Sequence, residues 1–216
     1  MSFSPDGKLL AVGGGGNESD NGVVTLWDTK SRTQIKVDIK GHQGVEIFVN
    51  AVAFSPDNRT LATGATDKTI EVWDISSRPA KLLTPPLEGH KVPLTSVAYS
   101  PDGKTLASGD ESGTINLWSA SSYQLLMTLK PSDDAIASIA FSADSSVLYT
   151  RDKKGKILLW HAAPREQVDR LLKQASAGSS RFIDDHKTKT AKFNLDDYVG
   201  SFVKKLDLWE RHLYVD

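Results

Sequence analysis

The stretch GHQGVEIFVNAVAFSPDNRTLATGATDKTIEVWD, residues 41–74, decides the fold. It contains three short apolar runs, Val49–Phe54, Leu61–Ala65 and Thr69–Ile75, which clusters of turn residues separate. Runs of this kind predict three antiparallel strands, and the segment 80–90 predicts a fourth. One such sheet cannot bury both of its faces, so it needs neighbouring sheets of the same kind.

The same pattern returns along the chain. Four apolar runs, VVTLW, TIEVW, TINLW and KILLW, end in tryptophans at positions 27, 73, 118 and 160. A matching turn precedes each run: FSPDG from 3, FSPDN from 54, YSPDG from 99 and FSADS from 141. A period of roughly 40–45 residues with four strands per unit is typical of the blades of a β-propeller.

These residues resemble the repeats of the WD-repeat family of β-propellers, from the opening Gly41-His42 to the closing Trp73-Asp74. The resemblance covers residues 1–160 and implies an all-β fold, an incomplete β-propeller of about four antiparallel four-stranded blades with a C-terminal helical tail. We expect propeller blades over 1–161, the first truncated and the last without its outer strand, and a tail over 162–216. We interpret the chain as a fragment of a longer, bacterial-type multidomain protein.

The resemblance also implies a structural hydrogen-bonded tetrad, which runs from Asp through His and Ser or Thr to the indole of Trp. The second repeat carries the full set, and the third carries a part of it, with Ser112 at the position of the aspartate. An Asp–His–hydroxyl catalytic triad is the alternative for the first three residue types, but their recurrence at the repeat spacing favours the structural role. The full tetrad is His42, Thr63, Asp67 and Trp73, and the partial one is His90, Ser108 and Trp118.

The C-terminal residues lack the repeat pattern. Apolar spacing predicts a helix over 164–175, a linker over 177–193 and a second helix with an apolar stripe from Leu195 to Leu213 that includes Trp209. The second helix either packs on the open side of the propeller or docks on another protein.

Two insertions predict where a partner binds. The turn at 13–22 is long, and the connection into Val49 is longer than its counterpart in the next repeat. In an antiparallel meander both lie at the same end of adjacent blades, and loops on a rigid scaffold often carry function. Ile47 and Phe48 are either tucked under the loop or offered to a partner. The candidate partner surface is Val45, Ile47, Phe48, Asn17 and Asp20.

Composition narrows the class of function. The formal net charge is -1, with 26 basic and 27 acidic residues and no basic stripe, which argues against nucleic acid as a partner. Absence of cysteine excludes disulfides and thiolate chemistry. No apolar run is long enough for a membrane span, and the first residues do not form a secretory signal.

We therefore expect a cytoplasmic, non-enzymatic scaffold that binds other proteins or peptides, with no cofactor or metal and no membrane partner. Open propeller edges predict self-association as a further property. The alternative function is a regulatory or sensing C-terminal segment of a multidomain signalling protein, with a kinase or nucleotide-hydrolysing domain upstream.

Overall fold

The computed structural model describes residues 1–15, 22–35, 39, 41–44, 46–77, 79–162 and 209–212. These ranges form sixteen β-strands, and within them the chain forms no helix, so none is long and apolar enough to cross a membrane. The strands make four antiparallel sheets of four strands, and in each sheet the spatial order follows the order in the chain. The predicted all-β, four-bladed architecture is confirmed.

The strands of each sheet are as follows. Sheet 1 contains β1 (Ser2–Phe3), β2 (Leu9–Gly14), β3 (Val23–Asp28) and β4 (Thr33–Ile35). Sheet 2 contains β5 (Val49–Phe54), β6 (Thr60–Ala65), β7 (Ile70–Asp74) and β8 (Lys81–Leu82). Sheet 3 contains β9 (Leu94–Tyr99), β10 (Thr105–Asp110), β11 (Ile115–Ser119) and β12 (Leu125–Leu129). Sheet 4 contains β13 (Ile136–Phe141), β14 (Val147–Asp152), β15 (Ile157–Ala162) and β16 (Trp209–His212).

The turn between the first two strands of each sheet is held by its own side chains. In sheet 3 the Ser100 hydroxyl donates to Asp102 Oδ1 at 2.6 Å and accepts a hydrogen bond from the Thr105 amide at 2.9 Å. Gly103 sits in the left-handed region with φ of 70°. A serine and an aspartate two residues apart therefore fix where one strand ends and the next begins.

The left-handed position of this turn also links neighbouring sheets. It is occupied by Asn58 in sheet 2 and by Ser145 in sheet 4, with φ of 60° and 62°. Asn58 Oδ1 accepts a hydrogen bond from the Asp6 amide at 3.2 Å, and Ser145 Oγ accepts one from the Asp102 amide at 3.0 Å. A side chain at this position costs backbone strain, and these contacts offset part of it.

The outer strand of sheet 2 is shorter than the predicted segment 80–90. Only Lys81–Leu82 forms a ladder with β7, and then Pro85 and Pro86 interrupt it because proline cannot donate a backbone hydrogen bond. Pairing resumes at Leu87, whose amide donates to the Ile70 carbonyl at 2.7 Å.

Sheet 4 corrects the prediction for the tail. Residues Trp209–His212 form β16, which pairs antiparallel with β15, for example Trp160 with Arg211. The prediction that the last repeat lacks its outer strand is wrong, and so is the predicted helix at these four residues. The reason is that the outer edge of β15 offers backbone N–H and C=O groups that a strand can pair.

The other predictions for the tail are not tested. The predicted helix at 164–175, the linker at 177–193 and the rest of the apolar stripe lie outside the described residues. The domain boundary between 161 and 162 stays a prediction.

The core lies between successive sheets. Three clusters of buried side chains each join the tryptophan-bearing face of one sheet to the opposite face of the sheet before it. Among the described residues, no cluster joins sheet 4 to sheet 1. The members of the three clusters include Leu61 and Trp73 with Ala11 and Val24, Leu106 and Trp118 with Ala62 and Ile70, and Leu148 and Trp160 with Ala107 and Ile115.

Candidate functional site

The tetrad residues of sheet 2 form one continuous chain of hydrogen bonds. His42 Nδ1 lies 2.8 Å from Asp67 Oδ2, and His42 Nε2 lies 2.8 Å from Thr63 Oγ1. The Trp73 indole donates to Thr63 Oγ1 at 3.3 Å. In a neutral imidazole whose Nδ1 carries the proton towards Asp67, Nε2 accepts from the Thr63 hydroxyl. Every polar side-chain atom of these four residues then has a hydrogen-bond partner.

Asp67 anchors the solvent side of this chain, with 17% of its side chain exposed. Burial raises the pKa of Asp67, but the hydrogen bond and electrostatic interaction with His42 and the hydrogen bonds from Thr69 lower it by more, so the net shift is downward. The Thr69 amide and hydroxyl both donate to Asp67 Oδ1, at 3.0 Å and 2.9 Å. The carboxylate is thus ionised at neutral pH and suited to accept from the imidazole.

Glu71 holds the backbone of His42 in place, and the sequence analysis did not identify this role. The His42 amide donates to Glu71 Oε1 at 2.9 Å, although His42 has a left-handed φ of 49°. A Cβ at Gly41 would overlap both Glu71 Oε2 and Trp73 Cζ2, so only glycine fits before this histidine. In the sequence TIEVW, Glu71 looks like an outward-facing polar residue, whereas it is buried with 5% exposure.

The third repeat also has a complete tetrad, which corrects the predicted partial one. His90 Nδ1 lies 2.8 Å from Asp110 Oδ2, and Nε2 lies 2.7 Å from Ser108 Oγ, which accepts from the Trp118 indole at 2.9 Å. Ser112, at the expected aspartate position, instead donates to Asp110 Oδ1 at 2.7 Å.

One signal in the sequence could have found Asp110. It comes two residues after Ser108, so the alternation of a strand places both side chains on the same face.

The His90 side chain is buried away from water. Burial lowers the pKa of His90 below 6.5, and the hydrogen bond and charge of Asp110 only partly oppose that shift.

The fourth repeat has the two ends of a tetrad without the imidazole. The Trp160 indole donates to Thr150 Oγ1 at 3.2 Å, and Ser132, at the histidine position, donates to Asp152 Oδ2 at 2.9 Å. A serine is too short to reach both groups as an imidazole does. In sheet 1 the Trp27 indole bonds to Thr25 Oγ1 at 3.2 Å, on its own strand.

The geometry of Asp67, His42 and Thr63 does not suit a nucleophile. Thr63 is fully buried, and its oxygen contacts the imidazole and the Trp73 indole. A hydroxyl enclosed in this way cannot meet a substrate, which supports the structural role over the triad. Within the described residues, no group of three histidine, aspartate or glutamate side chains could hold a metal ion.

The two loop insertions meet at one end of sheets 1 and 2. Gly15 and Phe48 form an isolated antiparallel bridge, and the Gly22 amide donates to the His42 carbonyl at 3.3 Å. The connection between β2 and β3 covers 15–22, whereas the equivalent turns cover only 66–69, 111–114 and 153–156. The predicted neighbourhood of the two insertions is therefore present in the fold.

The two apolar residues of the inserted connection behave differently. Ile47 is half-buried and packs against the core cluster between sheets 1 and 2. Phe48 is 46% exposed, and its ring lies against the backbone of Gly15, where a Cβ would overlap the ring. Of the two alternatives, burial under the loop holds for Ile47, and exposure holds for Phe48. The other members of the predicted surface, Val45, Asn17 and Asp20, lie outside the described residues.

The backbone of Phe48 is fixed from both sides. Its amide donates to Thr66 Oγ1 at 3.0 Å, and its carbonyl accepts a hydrogen bond from the Thr66 amide at 3.0 Å. Thr66 stands in the short turn between β6 and β7, next to Asp67 of the tetrad. The tetrad therefore supports the turn that holds the exposed ring.

Stacked four-stranded antiparallel sheets with a buried Asp–His–Ser/Thr–Trp chain define a β-propeller of the WD-repeat type. The family model described as WD domain, G-beta repeat matches residues 1–28, 32–74 and 81–119, which together make more than half of the chain. The chain belongs to this family.

Curated relatives agree with this assignment. The chain is 38% identical over 103 residues to the WD repeat-containing protein VIP3 of Arabidopsis thaliana, a match that covers 44% of this chain and 30% of the relative. It is 41% identical over 46 residues to the general transcriptional corepressor TUP1 of Saccharomyces cerevisiae, covering 21% of this chain and 6% of the relative.

A solved structure is similar in fold. A chain in the crystal structure of the mitotic checkpoint complex aligns with a TM-score of 0.63 and 27% identity, over 74% of this chain and 46% of that one. The chain thus spans less than half the length of these relatives and of this structural neighbour.

Proposed function

We propose that the chain is a non-catalytic protein-interaction module, and that its partner binds at the end of sheets 1 and 2 where the two insertions meet. The observation that carries this proposal is the half-exposed ring of Phe48 on a fixed backbone. Membership of the WD-repeat family supports a protein-interaction module. One relative is a transcriptional corepressor and the structural neighbour belongs to a checkpoint complex, and both fit this class of function.

A fixed aromatic ring is a good anchor for a partner. Both hydrogen-bonding groups of the Phe48 backbone are paired with Thr66, so binding does not have to order this segment. Aromatic side chains carry much of the binding energy in protein interfaces when they fill a pocket of the partner. The ring packs closely on Gly15, where a side chain would overlap it, and 46% of Phe48 stays exposed to a partner.

The test replaces Phe48 with serine and leaves Ile47 unchanged, because Ile47 packs into the core and its loss would disturb the fold. Leu83→Ser is the matched control, since Leu83 is 44% exposed and lies on the outer side of sheet 2. We expect proteins captured by the unaltered chain and by the Leu83 variant to bind the Phe48 variant about tenfold more weakly or worse, as quantitative pull-downs and calorimetry would show.

Unchanged affinity of the folded Phe48 variant for the same partners would show that this surface does not bind them. Equal losses in both variants would point to a general effect of lost apolar surface. The cytoplasmic location and the alternative of a regulatory segment within a signalling protein stay predictions.

A further inference from the structure

The three junctions between sheets share one rule for the second strand. Its third residue is alanine and its fifth is glycine, and both point towards the following sheet. The alanines are fully buried. These positions are Ala11 and Gly13 in β2, Ala62 and Gly64 in β6, and Ala107 and Gly109 in β10.

The glycines are required by close approach of the next sheet. A Cβ at Gly109 would lie 2.7 Å from Ile136 Cγ2, and one at Gly13 would lie 2.8 Å from Val49 Cγ1. A Cβ at Gly64 would lie 3.1 Å from Val97 Cγ1. The first two distances are too short for carbon atoms, so at two of the junctions even a methyl group forces a shift. At the third, the neighbouring side chain would have to give way.

Sheet 4 breaks this rule on its far face. The equivalent positions of β14 carry Tyr149 and Arg151 in place of alanine and glycine. Tyr149 is 38% exposed, and Ile157 on the neighbouring strand is 51% exposed. The opposite face of β14 keeps the usual residues, since Leu148 and Thr150 are buried against sheet 3. The change is therefore confined to the face that would receive a following sheet.

At the other end of the stack, sheet 1 exposes apolar side chains on its tryptophan-bearing face. On the tryptophan-bearing face of sheet 1, Phe3 is 63% exposed, Trp27 37% and Val23 41%. The equivalent tryptophans of sheets 2 to 4 are at most 5% exposed because a preceding sheet covers them. This face is shaped for a sheet with the alanine and glycine pattern. With that pattern on sheet 4, one copy of the chain would fit the next head to tail, and such contacts build open-ended assemblies.

We infer that Tyr149 and Arg151 prevent head-to-tail stacking of sheet 4 on sheet 1 of a second copy. The bulk of both side chains occupies the space that an apolar residue of the incoming sheet needs. Stacking would also bury the guanidinium of Arg151 against apolar side chains, where an unpaired charge is strongly unfavourable. Self-association by this route is thus opposed at the face of sheet 4, while the face of sheet 1 stays able to stack.

The test introduces the alanine and glycine of the other second strands into β14 with the double variant Tyr149→Ala, Arg151→Gly. We expect this variant to associate, with a mass by light scattering that rises with concentration to at least double the monomer mass, under conditions where the unaltered chain stays lighter. Circular dichroism and a cooperative unfolding transition check that the double variant is folded.

A third substitution, Trp27→Lys, identifies the surface used. Added to the double variant, it should return the mass to that of the unaltered chain, and in the unaltered chain it should leave the mass unchanged. A folded double variant whose mass matches the unaltered chain would overturn the inference. So would association that persists with Trp27→Lys, because the contact would then not be head to tail through sheet 1.

Discussion

At the scale of single residues, the position of the carboxylate in the tetrad is the main surprise. In sheet 2 it comes from Asp67 in the turn after β6, and in sheet 3 from Asp110 at the end of β10. Both place an oxygen 2.8 Å from Nδ1 of the histidine. The imidazole needs an acceptor at one point in space, and two different backbone positions can supply it.

Asp110→Ala should destabilise the protein by about 1–3 kcal/mol, because it leaves Nδ1 of the buried His90 without its acceptor. Ser112→Ala is the matched control, because Ser112 is the residue that the repeat alignment places at the aspartate position. It should cost less, because Ser112 contacts Asp110 and not the imidazole. Urea unfolding with a constant m-value measures both. A larger loss for Ser112→Ala than for Asp110→Ala would contradict the assignment.

At the scale of elements, the second strand of each sheet carries the residues that decide how neighbouring sheets pack. In sheets 2 to 4 its second and fourth residues face the preceding sheet, and the fourth carries the hydroxyl that accepts from the tryptophan. In sheets 1 to 3 its third and fifth residues are the alanine and glycine that let the next sheet approach. The outer strands are less constrained. β8 is two residues long and is followed by a proline pair, and β16 comes from residues far along the chain.

Gly109→Ala tests the packing at the second strands. The added methyl would lie 2.7 Å from Ile136 Cγ2, and we expect a loss of about 1–3 kcal/mol from overpacking. Gly14→Ala is the control within a strand, because a Cβ there meets nothing within 4 Å. It should change the free energy of unfolding by less than about 0.5 kcal/mol. Equal effects of the two variants in urea unfolding would show that loss of glycine itself, and not the contact with Ile136, is responsible.

At the scale of the whole molecule, the sheets form a stack with two unlike ends. Sheets 2 to 4 each bury their tryptophan face on the sheet before them, so the stability of one sheet depends on its neighbours. Among the described residues, sheet 4 packs against another sheet on one face only, and its outer edge is paired by β16. That strand therefore ties the far end of the chain to the last sheet.

Removal of β16 should loosen sheet 4 more than the rest. In a chain that ends at residue 208, we expect faster hydrogen exchange at 159–162, whose backbone pairs with β16, and unchanged exchange in β6 and β7. A chain that ends at His212 is the control and should keep the protection. Equal protection of 159–162 in both chains would mean that β16 does not stabilise the sheet.

The repeat pattern predicted the architecture well because it reflects local physics. Alternating apolar runs, paired turn residues and the recurring tryptophans sufficed for the strands of sheets 1 to 3 and for the members of the sheet 2 tetrad. Inference failed where spacing was the only guide. It found Ser112 at the aspartate position of the third repeat and therefore predicted a partial tetrad, whereas Asp110 completes it. It also extended a helical stripe through Trp209, which the structure places in a strand.

By itself, the sequence determined the number of sheets, their order along the chain and the approximate positions of the strands in the first three sheets. Periodicity and turn chemistry are properties of neighbouring residues, so they can be read without the fold. Only the tertiary structure decided that Asp110 is the carboxylate that reaches His90, that Ile47 is half-buried while Phe48 is exposed, and that β16 completes sheet 4. Those outcomes depend on contacts between residues far apart in the chain, whose distances no local pattern encodes.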